Sequence, residues 1–198
     1  MKKLFFVVVL AMLMSTVTMA QEIQFGAKGG VNFANFTGDD AGSPDMRTGL
    51  LFGGVVEIPI TDTFSFQPEL LYSAQGAKEK DSYEGMNYTV TIKADYLNLP
   101  LMAKYYVAEG FSIEAGPQVG FLISAKAKGE AGGSSAEEDI KDQFKGIDFG
   151  VNFGLGYKLE NGLNFGARYN LGLADIPDSD NVSLKNAVIQ VSVGYFFN

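Results

Sequence analysis

The sequence contains no cysteine and no histidine, and these two absences exclude several kinds of site. Without cysteine the chain can form no disulfide framework and offers no residue for lipoprotein acylation. Without histidine it lacks the residue that enzymes most often use as a general base, and zinc sites built from cysteine and histidine are impossible. The sequence therefore predicts no enzyme activity, no metal site and no cofactor.

Long apolar runs are also missing after residue 20, so no later segment can cross a membrane as a helix. The first twenty residues follow a separate pattern, which consists of Lys2 and Lys3, the apolar run 4–14, and Thr18, Met19 and Ala20. A basic start, an apolar core and a small-residue cleavage site are typical of a secretory signal peptide. The alternative, a transmembrane helix, fits less well because the run is short. We expect a signal peptide at 1–20 and one domain at 21–198.

Between residues 147 and 173, apolar residues alternate with glycine or polar residues in two stretches joined by a turn at 160–162. Successive side chains of a strand point to opposite faces, so this pattern predicts a hairpin with one apolar and one polar face. Each stretch is as long as the ~9–11 residues that a tilted strand needs to cross a bilayer. The polar face carries charge and glycine, which suits the lumen of a small closed barrel.

The same alternation recurs along the chain and predicts eight strands. Their expected positions are 23–37, 46–60, a third from residue 64, 87–107, 111–126, the two strands of the 147–173 hairpin, and 187–197. The apolar positions change from even to odd numbers within the fourth strand, which predicts a β-bulge near Asp95 and Tyr96. Before this change, Ile92 is expected to face outward.

Short connections alternate with long polar ones along the chain. The short ones lie at 61–63, 108–110 and 160–162, and the long ones at 38–45, 79–86, 128–144 and 175–186. The alternation predicts an all-β fold, an eight-stranded antiparallel up-and-down transmembrane barrel with both termini in the periplasm. The alternative, a soluble secreted sandwich, would have shorter strands and less regular connections. Side chains fill the interior of so small a barrel, so we expect no open pore.

Composition agrees with a barrel in outer-membrane lipid. The chain has 24 glycines and 13% aromatic residues, which suit a crowded lumen and aromatic girdles at the membrane interfaces. Its net charge of −8 argues against nucleic acid as a partner.

Four segments of the chain carry a resemblance to a known family: GAKGGVNF at 26–33, FQPELLYS at 66–73, YLNLPL at 96–101 and GPQVG at 116–120. In order and spacing they resemble the PorT-like outer-membrane β-barrel domain family of Gram-negative bacteria, and the resemblance covers nearly all of the mature chain. It implies an eight-stranded, OmpA/OmpX-like barrel and the barrel-insertion machinery as a partner. Such chains commonly end on an aromatic residue that this machinery reads, whereas here Asn198 follows Phe196 and Phe197.

The predicted lumen contains charged residues of both signs, namely Lys28, Glu57, Glu69, Lys104, Glu114, Asp148 and Arg168. An isolated buried charge is very costly, so these residues are expected to pair in a network that plugs and rigidifies the barrel. One alternative is a gated polar path or a small-ligand site. Another is acid–base catalysis by Glu69 and Glu114, for which the sequence supplies no substrate pocket.

The predicted long connections are rich in acids, namely Glu130, Glu137, Glu138, Asp139, Asp142, Asp175, Asp178 and Asp180. Their spacing does not match an EF-hand loop, so we expect solvated surface acids rather than calcium ligands. The resulting hypothesis is a structural or surface-interaction protein whose acidic loops bind a surface protein or a glycan. The alternative is a small-solute channel or a component of transport or secretion.

Overall fold

The computed structural model describes residues 22–83, 86–179 and 181–197, and within them the chain forms nine β-strands and one short 3₁₀ helix, Lys141–Gln143. The strands are β1 (Gln24–Thr37), β2 (Asp45–Pro59), β3 (Phe64–Tyr83), β4 (Met86–Ala108), β5 (Phe111–Ala131), β6 (Ser134–Asp139), β7 (Ile147–Lys158), β8 (Leu163–Gly172) and β9 (Lys185–Phe197). The predicted signal peptide and Asn198 lie outside the described residues. No helix within those residues is long and apolar enough to cross a membrane.

Eight of these strands, all except β6, form one closed antiparallel ring. Each strand pairs with its neighbour along the chain, and β5 pairs directly with β7. The ring closes where β1 pairs with β9, from Phe25 opposite Phe197 to Thr37 opposite Lys185. The predicted eight-stranded up-and-down barrel is confirmed.

Apolar side chains cover the outside of the ring, and the lumen side chains are buried. In β7, Phe149 and Phe153 are each 52% exposed, whereas Asp148 and Asn152 on the other face are buried. The same alternation runs through β9, where Ile189, Val191, Val193, Tyr195 and Phe197 all point outward. An apolar surface that surrounds a closed barrel is the surface that lipid requires.

The two ends of the barrel differ in the length of their connections. The turns at 60–63, 109–110 and 159–162 lie at one end together with the first and last described residues, and we call it the short-turn end. Gly110 and Gly162 have φ values of 71° and 87° there, a conformation that glycine adopts without a steric penalty. The opposite end, which holds the longer connections, is the long-loop end.

The prediction of loops at 79–86 and 128–144 is wrong in part, because residues of both segments form strands that extend beyond the ring. β3 and β4 continue as a hairpin to Tyr83 and Met86, and β5 continues to Ala131, where β6 pairs back along it. At the long-loop end, residues 76–83 of β3, 86–93 of β4 and 126–131 of β5 form a sheet with β6, which we call the protruding sheet. The expectation of loops was based on polar composition, but a strand in water can carry polar residues on both faces.

The predicted irregularity near Asp95 and Tyr96 is present, but the extra residue belongs to β5. Asp95 lies opposite Ser124 and Tyr96 opposite Leu122, so Ile123 stands between them without a partner. The expectation that Ile92 faces outward is wrong, because it packs against the apolar residues inside the barrel. The phase change in the apolar pattern arises because the interior is polar towards the short-turn end and apolar towards the long-loop end.

The facing of β7 can be tested with charge on its outer surface. Phe153 lies in the middle of the strand, so Phe153→Arg should lower the free energy of unfolding in lipid vesicles by about 2–4 kcal/mol. The matched control is Glu160→Arg in the exposed turn, which should change it little. Denaturant titration of the two variants checks this, and equal effects would contradict the assignment of Phe153 to lipid.

Candidate functional site

Arg168 of β8 is the centre of an ion-pair network in the lumen. Its Nη1 and Nη2 atoms donate to Oε2 and Oε1 of Glu69 on β3 at 2.9 and 3.0 Å. Its Nε and Nη2 atoms also donate to Oε1 of Glu114 on β5 at 3.1 and 3.0 Å. A guanidinium that donates to both oxygens of one carboxylate makes a strong contact, and Arg168 links three strands across the barrel in this way.

Glu69 receives two further donors. Lys28 Nζ on β1 lies 2.7 Å from Glu69 Oε1, and Gln67 Nε2 donates to the same oxygen at 2.5 Å. The side chains of Glu69 and Arg168 are 0% and 4% exposed. Burial of so many charges is tolerated because each of these buried carboxylates contacts a lysine or an arginine.

A second centre forms around Glu57 of β2, nearer the short-turn end. Tyr106 donates its hydroxyl to Glu57 Oε1 at 2.5 Å, and Lys158 Nζ lies 3.0 Å from Oε2. Lys104 Nζ lies 3.9 Å from the same oxygen and donates to Gln67 Oε1 at 3.1 Å. Gln67 therefore connects the two centres into one network.

The structure thus brings six of the seven predicted residues together, namely Lys28, Glu57, Glu69, Lys104, Glu114 and Arg168. The network predicted from the sequence did not include Gln67, Tyr106 and Lys158. Lys158 could have been found, because it lies on the polar face of the β7 alternation. Tyr106 could not, since an aromatic residue on a membrane strand is expected at the lipid interface.

Asp148 does not join the network. It is 6% exposed and lies towards the long-loop end, where Asn186 Nδ2 donates to its Oδ2 at 2.8 Å. No lysine or arginine among the described residues forms a salt bridge with it. The expectation that Asp148 belongs to the charge network is wrong. Asp148 lies near the start of β7, towards the long-loop end, whereas the network lies towards the short-turn end.

Neutral polar side chains fill the barrel between the Arg168 network and Asp148. Asn170 Nδ2 donates to Asn152 Oδ1 at 3.1 Å, and Asn152 Nδ2 donates to Gln118 Oε1 at 3.3 Å. Across the lumen, Asn32 Nδ2 donates to Ser73 Oγ at 2.9 Å. These side chains are buried and leave the middle of the barrel filled.

Apolar side chains close the long-loop end. Ile140, Phe144 and Ile176, which we call the cap, come from the connections after β6 and after β8. They pack on inward-facing residues of the barrel wall, namely Phe36, Ala77, Ala94, Tyr96, Leu122 and Ala125. Two backbone hydrogen bonds of 2.8 Å, from Lys145 N to Ile176 O and from Asp178 N to Gln143 O, join the two connections.

The short-turn end is open as far as Glu57. A cavity of about 420 Å³ lies there, lined among others by Gln24, Glu57, Tyr106 and Lys158. Deeper in the barrel, beside Lys28 and Glu114, the free volume is about 10 Å³, which holds one water at most. The cavity is therefore a vestibule.

The predicted acidic surface of the long-loop end has mixed charge in the structure. Glu137 on β6 contacts Lys93 at 2.6 Å and Lys126 at 3.0 Å, and these hydrogen bonds hold the pKa of Glu137 at about 2. Glu130 contacts Lys128 at 2.7 Å. Asp180 lies outside the described residues.

Lysines share the outward face of the protruding sheet. Cross-strand partners lie on one face, and the register pairs Lys93 with Lys126 and places Lys78 and Lys128 on either side of Thr91. Lys80 follows two residues after Lys78 and so lies on the same face. Acids of β6 border this lysine face at one edge.

A closed ring of eight strands with a lipid-facing exterior and a packed polar lumen defines an integral outer-membrane β-barrel protein. The chain belongs to the outer membrane protein beta-barrel domain family, whose model matches residues 19–178. The narrower resemblance to PorT-like proteins stays a prediction.

Solved structures share this fold at low sequence identity. Ail, the attachment invasion locus protein of Yersinia pestis, is 13% identical with a TM-score of 0.52, and the match covers 89% of this chain and all of Ail. Neisserial surface protein A and Acinetobacter baumannii CarO2 are each 11% identical over the same share of both chains, with TM-scores of 0.51 and 0.50. A comparison with curated proteins finds no match.

The importance of the Arg168 contacts can be measured directly. Arg168→Met leaves Glu69 and Glu114 buried without their main partner, so the free energy of unfolding should fall by about 3–5 kcal/mol. Lys128→Met is the matched control, since it breaks an exposed pair and should have little effect. Denaturant unfolding in detergent micelles compares the two, and similar losses would argue against a stabilising network.

Proposed function

We propose that this outer-membrane protein is a closed, non-conducting barrel that acts as a structural or surface-interaction protein. The observation that carries the proposal is the obstruction of the lumen at three levels. The cap closes the long-loop end, the layer of Asn152, Asn170 and Gln118 fills the middle, and the Arg168 network crosses the lower half. A solute would have to displace all three.

The alternative is a small-solute channel or a component of transport or secretion. The vestibule favours it, because Glu57 and Lys158 offer both signs of charge to a solute that enters from the short-turn end. Beyond the vestibule, passage would require Arg168 to leave two buried carboxylates, at a cost of several kcal/mol. We therefore favour the closed barrel.

We propose no catalytic role for the lumen carboxylates. Glu69 and Glu114, the pair considered for acid–base chemistry, both accept hydrogen bonds from Arg168. The volume of about 10 Å³ beside Glu114 is too small for a substrate.

Single-channel recording in planar bilayers tests closure. The wild-type protein should give no stable openings because each level alone obstructs the lumen. A cap variant, with Ile140, Phe144 and Ile176 all changed to glycine, should also stay closed. Changing the three residues of the middle layer (Asn152, Asn170 and Gln118) and the three of the Arg168 network (Arg168, Glu69 and Glu114) to glycine in the cap variant removes all three levels and should produce stable openings.

Stable openings of the wild-type protein would reject the closed barrel in favour of the channel. Openings of the cap variant alone would show that the cap is a gate. Migration of unboiled samples in detergent gels serves as the control for folding, since closed barrels resist detergent at room temperature.

The proposed orientation places both termini in the periplasm and the long-loop end outside the cell. Outer-membrane barrels have short periplasmic turns and longer extracellular loops, and this chain has the same asymmetry between its ends. The protruding sheet and the cap would then face the medium.

An inserted epitope tests the orientation. Gly132 and Gly133 form the turn between β5 and β6 with φ values of 56° and 84°, so an insertion between them should leave the barrel intact. Antibody should detect it on intact cells. The same epitope after Glu160, in a turn of the short-turn end, should be detected only after the outer membrane is opened. The reverse result would invert the barrel.

We propose a surface protein or a glycan as the partner of the long-loop end. The lysine face of the protruding sheet supports an anionic partner, because its five lysines outnumber the three acids that pair with them, namely Asp45, Glu130 and Glu137. Ail has been solved in complex with the heparin analogue sucrose octasulfate, a polyanionic sugar, so a barrel of this fold can hold such a molecule.

A further inference from the structure

The outward face of the protruding sheet continues the lipid-facing surface of the barrel. On β4, Leu97 is exposed among the lipid-facing residues, and Lys93 lies four residues before it on the same face of the strand. On β5, Ile123 is also exposed to lipid, and three residues later Lys126 lies opposite Lys93. Since both strands run without interruption across this boundary, the lysine face adjoins the lipid-facing surface directly.

The first lysines lie at the level of the lipid headgroups. Three residues of a strand span about 10 Å, which a tilt of about 40° reduces to roughly 8 Å along the membrane normal. The headgroup layer on each side of a bilayer is roughly 5–7 Å thick. Lysine side chains extend along apolar surface and place their ammonium groups in a polar layer, so Lys93 and Lys126 can both contact headgroups. Lys78 and Lys128 lie one step further from the lipid, on either side of Thr91.

The lysines of this face are only partly neutralised by acids. Glu137 lies 2.6 Å from Lys93 and 3.0 Å from Lys126, so one carboxylate serves two ammonium groups. Lys78 forms no salt bridge within the part of the chain that the structure describes. Asp139, on the same strand as Glu137, accepts a hydrogen bond from a backbone N–H of the 3₁₀ helix at 2.9 Å. Exposed ion pairs are weak, so the ammonium groups remain available to a further anion.

Phosphate is the anion that these lysines meet at the headgroup level. In the proposed orientation the lysine face lies in the outer leaflet, which in Gram-negative bacteria consists largely of a glycolipid whose sugar headgroup carries phosphates. Each lysine near an anionic lipid surface contributes roughly a fivefold factor to the binding constant. A soluble anion would have to displace phosphates that are always present beside the lysines, so the position of the lysine face favours the lipid.

We infer that the lysine face binds the phosphate groups of the glycolipid in the outer leaflet, through Lys78, Lys93, Lys126 and Lys128. The inference rests on the proposed orientation and on the proposed anionic partner, and it names that partner as a phosphorylated lipid headgroup beside the barrel. The protruding sheet is then held against the membrane surface on the side of the barrel that β3, β4 and β5 form.

Titration of the folded wild-type barrel with three ligands tests the inference. The ligands are lipid A, which is a phosphorylated glycolipid, lipid A from which the phosphates have been removed, and the soluble polyanion sucrose octasulfate. Native mass spectrometry of the barrel from nonionic detergent micelles counts the bound molecules. Lipid A should bind roughly tenfold or more tightly than its dephosphorylated form, because the two lipids share their acyl chains and differ in charge. Equal binding of the two lipids would overturn the inference without any variant.

Substitution of the lysines locates the contact. Lys78→Gln combined with Lys126→Gln should weaken the binding of lipid A roughly 25-fold and leave the binding of the dephosphorylated lipid unchanged. Each change alone should weaken the binding of lipid A about fivefold. Lys141→Gln removes the same charge from the 3₁₀ helix after β6, outside the lysine face, and is the matched control that should bind as the wild type does. Migration of unboiled samples in detergent gels shows whether each variant is folded.

Wild-type affinity of the double variant for lipid A would also overturn the inference, and the third ligand then separates it from the proposed function. If that variant no longer binds sucrose octasulfate, the lysine face binds a soluble polyanion, so the proposed surface interaction stands and its assignment to the lipid is wrong. If that variant binds both ligands as the wild type does, the lysine face has no anionic partner, and the inference and the proposed anionic partner are both rejected.

Discussion

The pairing of β1 with β9 is the constraint on which the rest of the structure depends. A membrane interior offers no water to an unpaired strand edge, so the sheet must close on itself. Thirteen residue pairs, from Phe25–Phe197 to Thr37–Lys185, provide this closure. Once eight strands are closed, the lumen is narrow enough that side chains from opposite walls touch, and their chemistry must be mutually compatible.

That compatibility explains why the lumen is organised in levels. Charged side chains towards the short-turn end pair around Arg168 and Glu57, because a narrow barrel has no room for the water that would hydrate each charge. Higher up, amide side chains hydrogen-bond with one another, and at the long-loop end apolar residues exclude water altogether. Each level satisfies the burial requirement in a different way, and Asp148 lies where the first solution ends.

Sequence alone predicted the ring and most of the charge network, because alternation assigns each residue to lipid or lumen. The alternation could not reveal the cap. Ile140, Phe144 and Ile176 lie in connections, where an apolar residue carries no periodic signal, and their partners Ala77 and Ala125 are small. It also misplaced Ile92, since the inner surface becomes apolar above Tyr96. Asp148 was assigned the correct face but the wrong height, because parity says nothing about position along the barrel axis.

β3, β4 and β5 run without interruption from the lipid belt into the protruding sheet. The sheet is therefore anchored by the barrel itself and does not hang on linkers. A molecule that docks on it meets a surface whose backbone is already ordered, so little conformational entropy is lost on association. Compared with a barrel whose loops must fold around their ligand, this one should recognise a narrower range of shapes and release a well-matched one slowly.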